Sequence, residues 1–394
     1  MLLSNRLNAI SYSKAMKIAG DIIELKNKGS VIIDFTVGEP DFPTPDNIKQ
    51  AAINAINSNH TKYTKNSGLT ELVEAVANKF KRDNNLDYST DEIIISTGAK
   101  QGLFNALLSI IEKGDEVIYQ SPFYTSYPHM ISLAEGTGVV IKSREENGFK
   151  ITKDELKNAV TKNSKVLIIC NPSNPTGSFY SKSDLEELAE VVLENNLYVI
   201  ADEIYEKIVF HDNKFTSFAS LGNEIKDRTI VVNGVSKAYS MTGWRLGFTA
   251  GNKNIIAAMN KIQSHSTSNA NTISQYAAIE ALNGPQDSVI EMKEEYQKRS
   301  DYFFEKINGI KNLSMIKSRG ALYSFINIKQ LLGKNSINTS EDFAEFLLNE
   351  YRIAVIPGTV FGAEGYIRMS FATSMENIQE GIEKIRQAAE SLSR

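Results

Sequence analysis

The stretch "KVLIICNPSNPTGSFYSKSDLEELAEVVLENNLYVIADEIY", residues 165–205, holds two short apolar runs joined by a Pro/Asn-rich loop and a helical segment. The runs 165–170 and 197–202 lack polar alternation, which predicts strands covered on both faces. The stretch 182–195 between them predicts a helix. Strand, helix and strand in one window are the unit of an α/β fold with a mainly parallel sheet. Working outward, similar runs predict strands over 92–97, 116–120, 138–142, 229–234 and 246–251, with helices over 100–112 and 253–263. After about residue 285 the pattern changes. A charged helix over 287–308 leads to short strands at 321–327, 353–356 and 366–371 and a final amphipathic helix over 374–391. We therefore expect a large domain over 46–286, its sheet sandwiched by helices, and a smaller α+β domain over 287–394. The segment 1–45 is expected to form an arm and part of the small domain.

Composition narrows the function. A formal net charge of −4 gives no electrostatic footprint for nucleic acid or an anionic membrane. No apolar run approaches the roughly 18 residues of a membrane span. The start lacks the layout of a secretory signal. The single cysteine, Cys170, permits no intrachain disulfide and fits a reducing compartment. Four scattered histidines show no metal-ligand spacing and give a Ser-His-Asp triad little support. These observations lead us to expect a soluble cytoplasmic enzyme without a metal centre.

Five constellations carry chemistry. In "STGAKQGLFNALLSII", 96–111, Gly98 and Ala99 turn a buried strand into a helix, whose N-terminal N–H groups form a potential anion site. "NPSNPTG", 171–177, follows a strand at the end of the sheet where α/β folds bind ligands. Its prolines stiffen it, and Asn174 offers an amide; the plain alternative is a connecting Asx-turn. In "VIADEIYEKIVF", Asp202 ends another apolar strand and Tyr205 lies three residues on; Asp202 there is either a helix cap or a cleft carboxylate. "GVSKAYSMTGWRLG", 234–247, puts Lys237 and Arg245 between two strands. A lysine there suits Schiff-base chemistry, and the arginine fork suits a phosphate. In "YIRMSFA", 366–372, Arg368 inside an apolar strand needs a carboxylate partner, from the fold or from a substrate.

Together, "VGEPDFPTP", "NPSNPTG", "ADEIY", "SKAYSMTGWRLG" and "IRMSFATS" resemble the class I/II aminotransferases, pyridoxal-phosphate enzymes of fold type I, nearly from end to end. The resemblance is closest to the bacterial aspartate aminotransferase branch. It implies a two-domain homodimer that takes pyridoxal 5'-phosphate and moves an amino group between an L-amino acid and a 2-oxo acid, in ping-pong order. It makes Lys237 the Schiff-base lysine and Asp202 the carboxylate on the pyridine nitrogen. Tyr205 and Asn174 become the partners of the ring's 3′ oxygen. Arg245 and the N–H groups around Gly98, Ala99 and Lys100 become the phosphate cradle. Tyr124 would stack on the ring, and Tyr63 would reach the phosphate of the neighbouring subunit. Arg368 would grip the substrate α-carboxylate, with Gly38 in the loop that closes over it; Tyr124 and Asn174 also face the substrate. One departure is Gly234, where some relatives carry a phosphate-binding serine or threonine three residues before the lysine. Ser236 or Ser240 would have to compensate.

Lys100 is the substrate clue. In "GAKQ" it resembles the branch in which this lysine faces a side-chain carboxylate, so aspartate is expected as amino donor and 2-oxoglutarate as acceptor. Prephenate, aromatic amino acids or alanine are alternative substrates. A C–S β-lyase or cyclopropane-carboxylate synthase on the same fold is the alternative chemistry. A ligand-sensing regulator would need a DNA-binding module ahead of residue 37, and a nicotinamide dehydrogenase would need a G-x-G-x-x-G after an early strand.

Overall fold

The buried runs become adjacent strands in a computed structural model that describes residues 4–393. In chain order the strands are β1 (Ile33–Asp34), β2 (Ile93–Ser96), β3 (Glu116–Ser121), β4 (Thr137–Lys142), β5 (Ser164–Cys170), β6 (Tyr198–Asp202) and β7 (Thr229–Gly234). They continue with β8 (Gly247–Ala250), β9 (Ser314–Met315), β10 (Tyr323–Asn327), β11 (Ile353–Ala354), β12 (Ile356–Pro357) and β13 (Tyr366–Ser370). Seven form one sheet in the order β2-β8-β7-β6-β5-β3-β4. Only β8 runs against the rest, antiparallel to both β7 and β2. The expected mainly parallel α/β sheet is present.

The missing alternation has a direct cause. Along β5, Val166, Ile168 and Cys170 pack on one face in a core with Leu103 and Leu107 of helix Ala99–Ile110 and Met259 of helix Lys253–Ser264. Leu167 and Ile169 pack on the other with Leu185 and Leu188 of helix Lys182–Glu194. Both faces are dry, so both parities are apolar. That helix starts where Ser181 and Asp184 form a capping box, each satisfying a backbone N–H of the other's residue.

Two expectations need correction. The strand at 138–142 was expected to be covered on both faces, but β4 is the edge of the sheet, and Val140 is 43% exposed. The run 353–356 is not one strand. β11 pairs in parallel with β1, whereas β12 joins β13, β10 and β9 in an antiparallel sheet. β11 takes Ile353 and Ala354 of the run, whereas β12 takes Ile356 together with Pro357 beyond it.

Segment 33–35 lies against the C-terminal elements. Ile33 and Phe35 share a core with Phe303, Ile353, Phe371 and Ile382, and Ser370 N donates to Phe35 O at 2.9 Å. Tyr205, Ile208 and Phe210 belong to the same core, so the two sheet systems meet on continuous apolar packing. Among the described residues, no helix is long and apolar enough to cross a membrane.

Candidate active site

Strands β5, β6 and β7 end side by side, and each delivers one group to the same cleft. Asp202 is the last residue of β6 and pairs in register with Cys170, the last of β5. Lys237 follows β7 by three residues, and loop 171–177 follows β5. The cleft is a cavity of about 500 Å³ lined by Lys237, Asp202, Tyr205, Asn174, Ser236, Arg245, Ala99, Lys100, Tyr124, Gly38 and Arg368. Gly98 stands directly behind Arg245. Tyr63 does not join them; it is 92% exposed.

Asp202 caps no helix, since residues 204–207 form turns. Its Oδ2 accepts a hydrogen bond from the Tyr127 hydroxyl at 2.7 Å, whereas Oδ1 is buried and has no partner. Burial pushes its pKa up to about 6, against the Tyr127 hydrogen bond, a backbone bond at Ile204 and the charge of Lys237. Lys237 donates to the Gly38 carbonyl. Loss of water pulls its ammonium down to about 8; Arg368 and Arg245 push the same way, while Glu39 and Asp202 oppose. A lysine so tuned is neutral often enough to act as a base near neutral pH.

The anion end is built by backbone. Gly98, at φ +82°, is the N-cap of helix Ala99–Ile110. A Cβ there would stand 2.7 Å from Arg245 Nη2. Arg245, itself left-handed at φ 53°, is held by Nη1 donating to Thr242 O at 2.9 Å. The helix N-terminus and the guanidinium thus converge without a side chain between them. The Gly234 departure is steric as well: a Cβ would meet Leu246 O at 2.9 Å and Gly247 Cα at 3.0 Å. Ser236 lines the cavity, while the Ser240 hydroxyl turns to Met292 Sδ at 3.2 Å.

At the opposite end Arg368 sits in the middle of β13, paired with Phe325 of β10 and Ile356 of β12. It is 5% exposed. Nη1 donates to Asn174 Oδ1 at 3.2 Å and Nη2 to Thr36 O at 2.7 Å, while Nε has no partner. The guanidinium packs over the rings of Tyr323, at 4.3 Å, and Phe361, at 5.0 Å. Among the described residues no carboxylate completes it, so the atom it lacks is an acceptor. An aromatic N–H cation would complete Asp202 Oδ1, and a carboxylate would complete Arg368 Nε. The residues present fit a phosphorylated pyridine and an amino acid.

Several groups escaped the sequence reading. Tyr323 shares a hydrogen bond with Tyr205 between their hydroxyls at 2.8 Å, across 118 residues. Glu39 accepts from Thr242 Oγ1 at 2.6 Å, and Thr36 contributes a carbonyl. Tyr127 alone left a trace, three residues past Tyr124 in "YTSY".

Residues 30–385 match the family described as aminotransferase class I and II. The chain is 45% identical, over 98% of each sequence, to an aspartate aminotransferase of Bacillus sp. strain YM-2. It is 46% identical to a probable aspartate/prephenate aminotransferase of Rickettsia felis, over 100% of this chain and 97% of that one. The solved structure of an aspartate aminotransferase from Rhizobium meliloti superposes with a TM-score of 0.96 at 40% identity, covering both chains in full.

Proposed function

The chain belongs to the class I and II aminotransferases, and from that premise we propose that it moves the amino group of aspartate to 2-oxoglutarate with bound pyridoxal 5'-phosphate. The observation that carries the reading is the pair of unsatisfied atoms, the Asp202 Oδ1 acceptor and the Arg368 Nε donor, in one cavity with Lys237. Asp202 would hold the cofactor's protonated ring nitrogen, and Tyr205 and Asn174 its 3′ oxygen. Arg245, Ser236 and the helix start at Gly98, Ala99 and Lys100 would hold the phosphate, with Tyr124 against the ring. Once bound, the cofactor supplies an electron sink for the electron pair left at the substrate Cα. Lys237 would take the substrate Cα proton and deliver it to the cofactor's C4′ rather than back to Cα, the net proton shift that amino transfer requires. Arg368 orients every substrate by its α-carboxylate, and the Gly38 loop shields the reacting atoms from water. The same residues serve the amino acid and then the 2-oxo acid, so the order is ping-pong.

Relatives named for aspartate support a dicarboxylate, and Lys100 at the cavity wall supplies a cation for the distal carboxylate. The Rickettsia felis relative's name makes prephenate, also a dicarboxylate, the second reading. Exposed Tyr63 would complete the phosphate site of a second copy, giving a homodimer with shared sites. We also keep the division at residues 45 and 286 and a cytoplasmic location as part of this proposal. The test is direct. Protein loaded with pyridoxal phosphate and treated with borohydride should carry the label on the peptide containing Lys237. Aspartate alone should release oxaloacetate and leave the cofactor as pyridoxamine phosphate, one for one. Labelling elsewhere, or keto-acid release with ammonia and unchanged cofactor, would overturn the assignment in favour of the lyase.

A further inference from the structure

An aspartate has two equivalent oxygens, and a half turn of its terminal torsion exchanges their surroundings. Which one faces the cleft is decided by what holds the other. In this chain the side chain that holds it is Tyr127, whose hydroxyl donates to Oδ2. Tyr127 is 3% exposed, and its place is set by the backbone. Its N–H donates to Tyr124 O at 3.0 Å, opening the short helix Tyr127–Leu133, and Met130 and Ile131 bury that helix against the sheet. Its ring stands edge-on to Tyr124, centroids 5.4 Å apart at 80°. One side chain therefore touches both the candidate ring-nitrogen carboxylate and the candidate stacking aromatic. We infer that Tyr127 is a positioning residue for the reaction: its hydroxyl takes Asp202 Oδ2 so that Oδ1 is left for the cofactor's ring nitrogen, while its ring braces Tyr124.

The chemistry agrees with the geometry. Burial and the Asp202 charge raise the Tyr127 phenol well above its usual range, so it stays a donor. Donation favours the carboxylate form of Asp202, against the burial that favours the neutral acid. The titratable groups facing Asp202 are Tyr127, Cys170 and Lys237. Removing the hydroxyl leaves burial opposed only by the backbone bond at Ile204 and the charge of Lys237, so less of Asp202 is charged near neutral pH.

The inference rests on the proposed cofactor, and the experiment separates the two. Equilibrium dialysis of pyridoxal phosphate from wild-type protein and from Tyr127→Phe, Asp202→Asn and the double variant, between pH 5 and 9, gives four affinity profiles. Tyr127→Phe keeps the ring and removes one donor to a charged group, so affinity should fall about ten- to a hundredfold. The acid limb of its profile should move to higher pH. The double variant should bind no more weakly than Asp202→Asn alone, because the phenol acts through the carboxylate. A Tyr127→Phe profile that superposes on wild type overturns the role of Tyr127. So does an affinity loss with an unmoved acid limb and a lowered melting point of the cofactor-free protein, which would make it a packing residue. Wild-type protein that takes up no cofactor overturns the functional reading itself.

Discussion

At the scale of one residue, Lys100 and Arg368 divide the substrate between them. Lys100 lies in the first turn of helix Ala99–Ile110, where a cation opposes the helix dipole, and its Nζ sits 5.6 Å from the centre of the Tyr124 ring. A cation retained against that field is explained by an anion brought by the ligand. Lys100→Ala should lower kcat/KM for aspartate about ten- to a hundredfold, the worth of one charge-assisted hydrogen bond. Alanine, which has no distal carboxylate, should be little affected. Arg368→Ala should hurt both amino acids alike, because both carry the α-carboxylate. Steady-state kinetics on the two substrates separates the roles; equal losses in the Lys100 variant would assign this lysine to the phosphate or the fold.

At the scale of elements, the strand–glycine–helix turn at Gly98 carries the anion site. Gly98→Ala forces an L side chain into a left-handed conformation and into the Arg245 guanidinium. It should cost about 1–3 kcal/mol of stability in urea unfolding and weaken cofactor binding in dialysis. Unchanged affinity would place the phosphate elsewhere. Elements of this kind are legible in sequence because each couples a buried apolar run to a fixed turn. The ends of β5, β6 and β7 fall within a residue or two of their expected places, with Asp202 the last residue of β6 and Asn174 and Lys237 in the loops that follow β5 and β7. What escapes is what tertiary contact alone creates. β4 has the same β-branched content as its neighbours, and nothing local tells it that it is an edge. The run 353–356 cannot announce that two sheets will share it. Tyr323 reaches Tyr205, and Thr36 reaches Arg368, only because remote strands fold together.

At the scale of the whole molecule, the cleft trades stability for readiness. Its walls come from both sheet systems, joined across it by the Tyr205–Tyr323 and Asn174–Arg368 contacts, and its floor holds a buried carboxylate with one oxygen unsatisfied. The folded pKa of Asp202 is about 6, above its ordinary 3.8. The folded state therefore favours the neutral acid. That contribution is fully present below 3.8 and is lost as pH rises through about 6, leaving a penalty at neutral pH. Each pKa unit is worth about 1.36 kcal/mol, so the penalty is on the order of 1–3 kcal/mol once the unsatisfied oxygen of an amide is allowed for. Asp202→Asn removes the charge and keeps the shape. Without cofactor, the variant should be more stable than wild type at pH 8, and the gap should close as pH falls from about 6 toward 4, where wild-type Asp202 is itself neutral. With pyridoxal phosphate the order should invert, because only the carboxylate gains a charged partner. Thermal melts of both proteins across that pH range, with and without cofactor, check the sign at each corner. A variant less stable than wild type at pH 8 without cofactor would show that the Asp202 charge is already compensated inside the fold, and that its open oxygen is not held in reserve for a ligand.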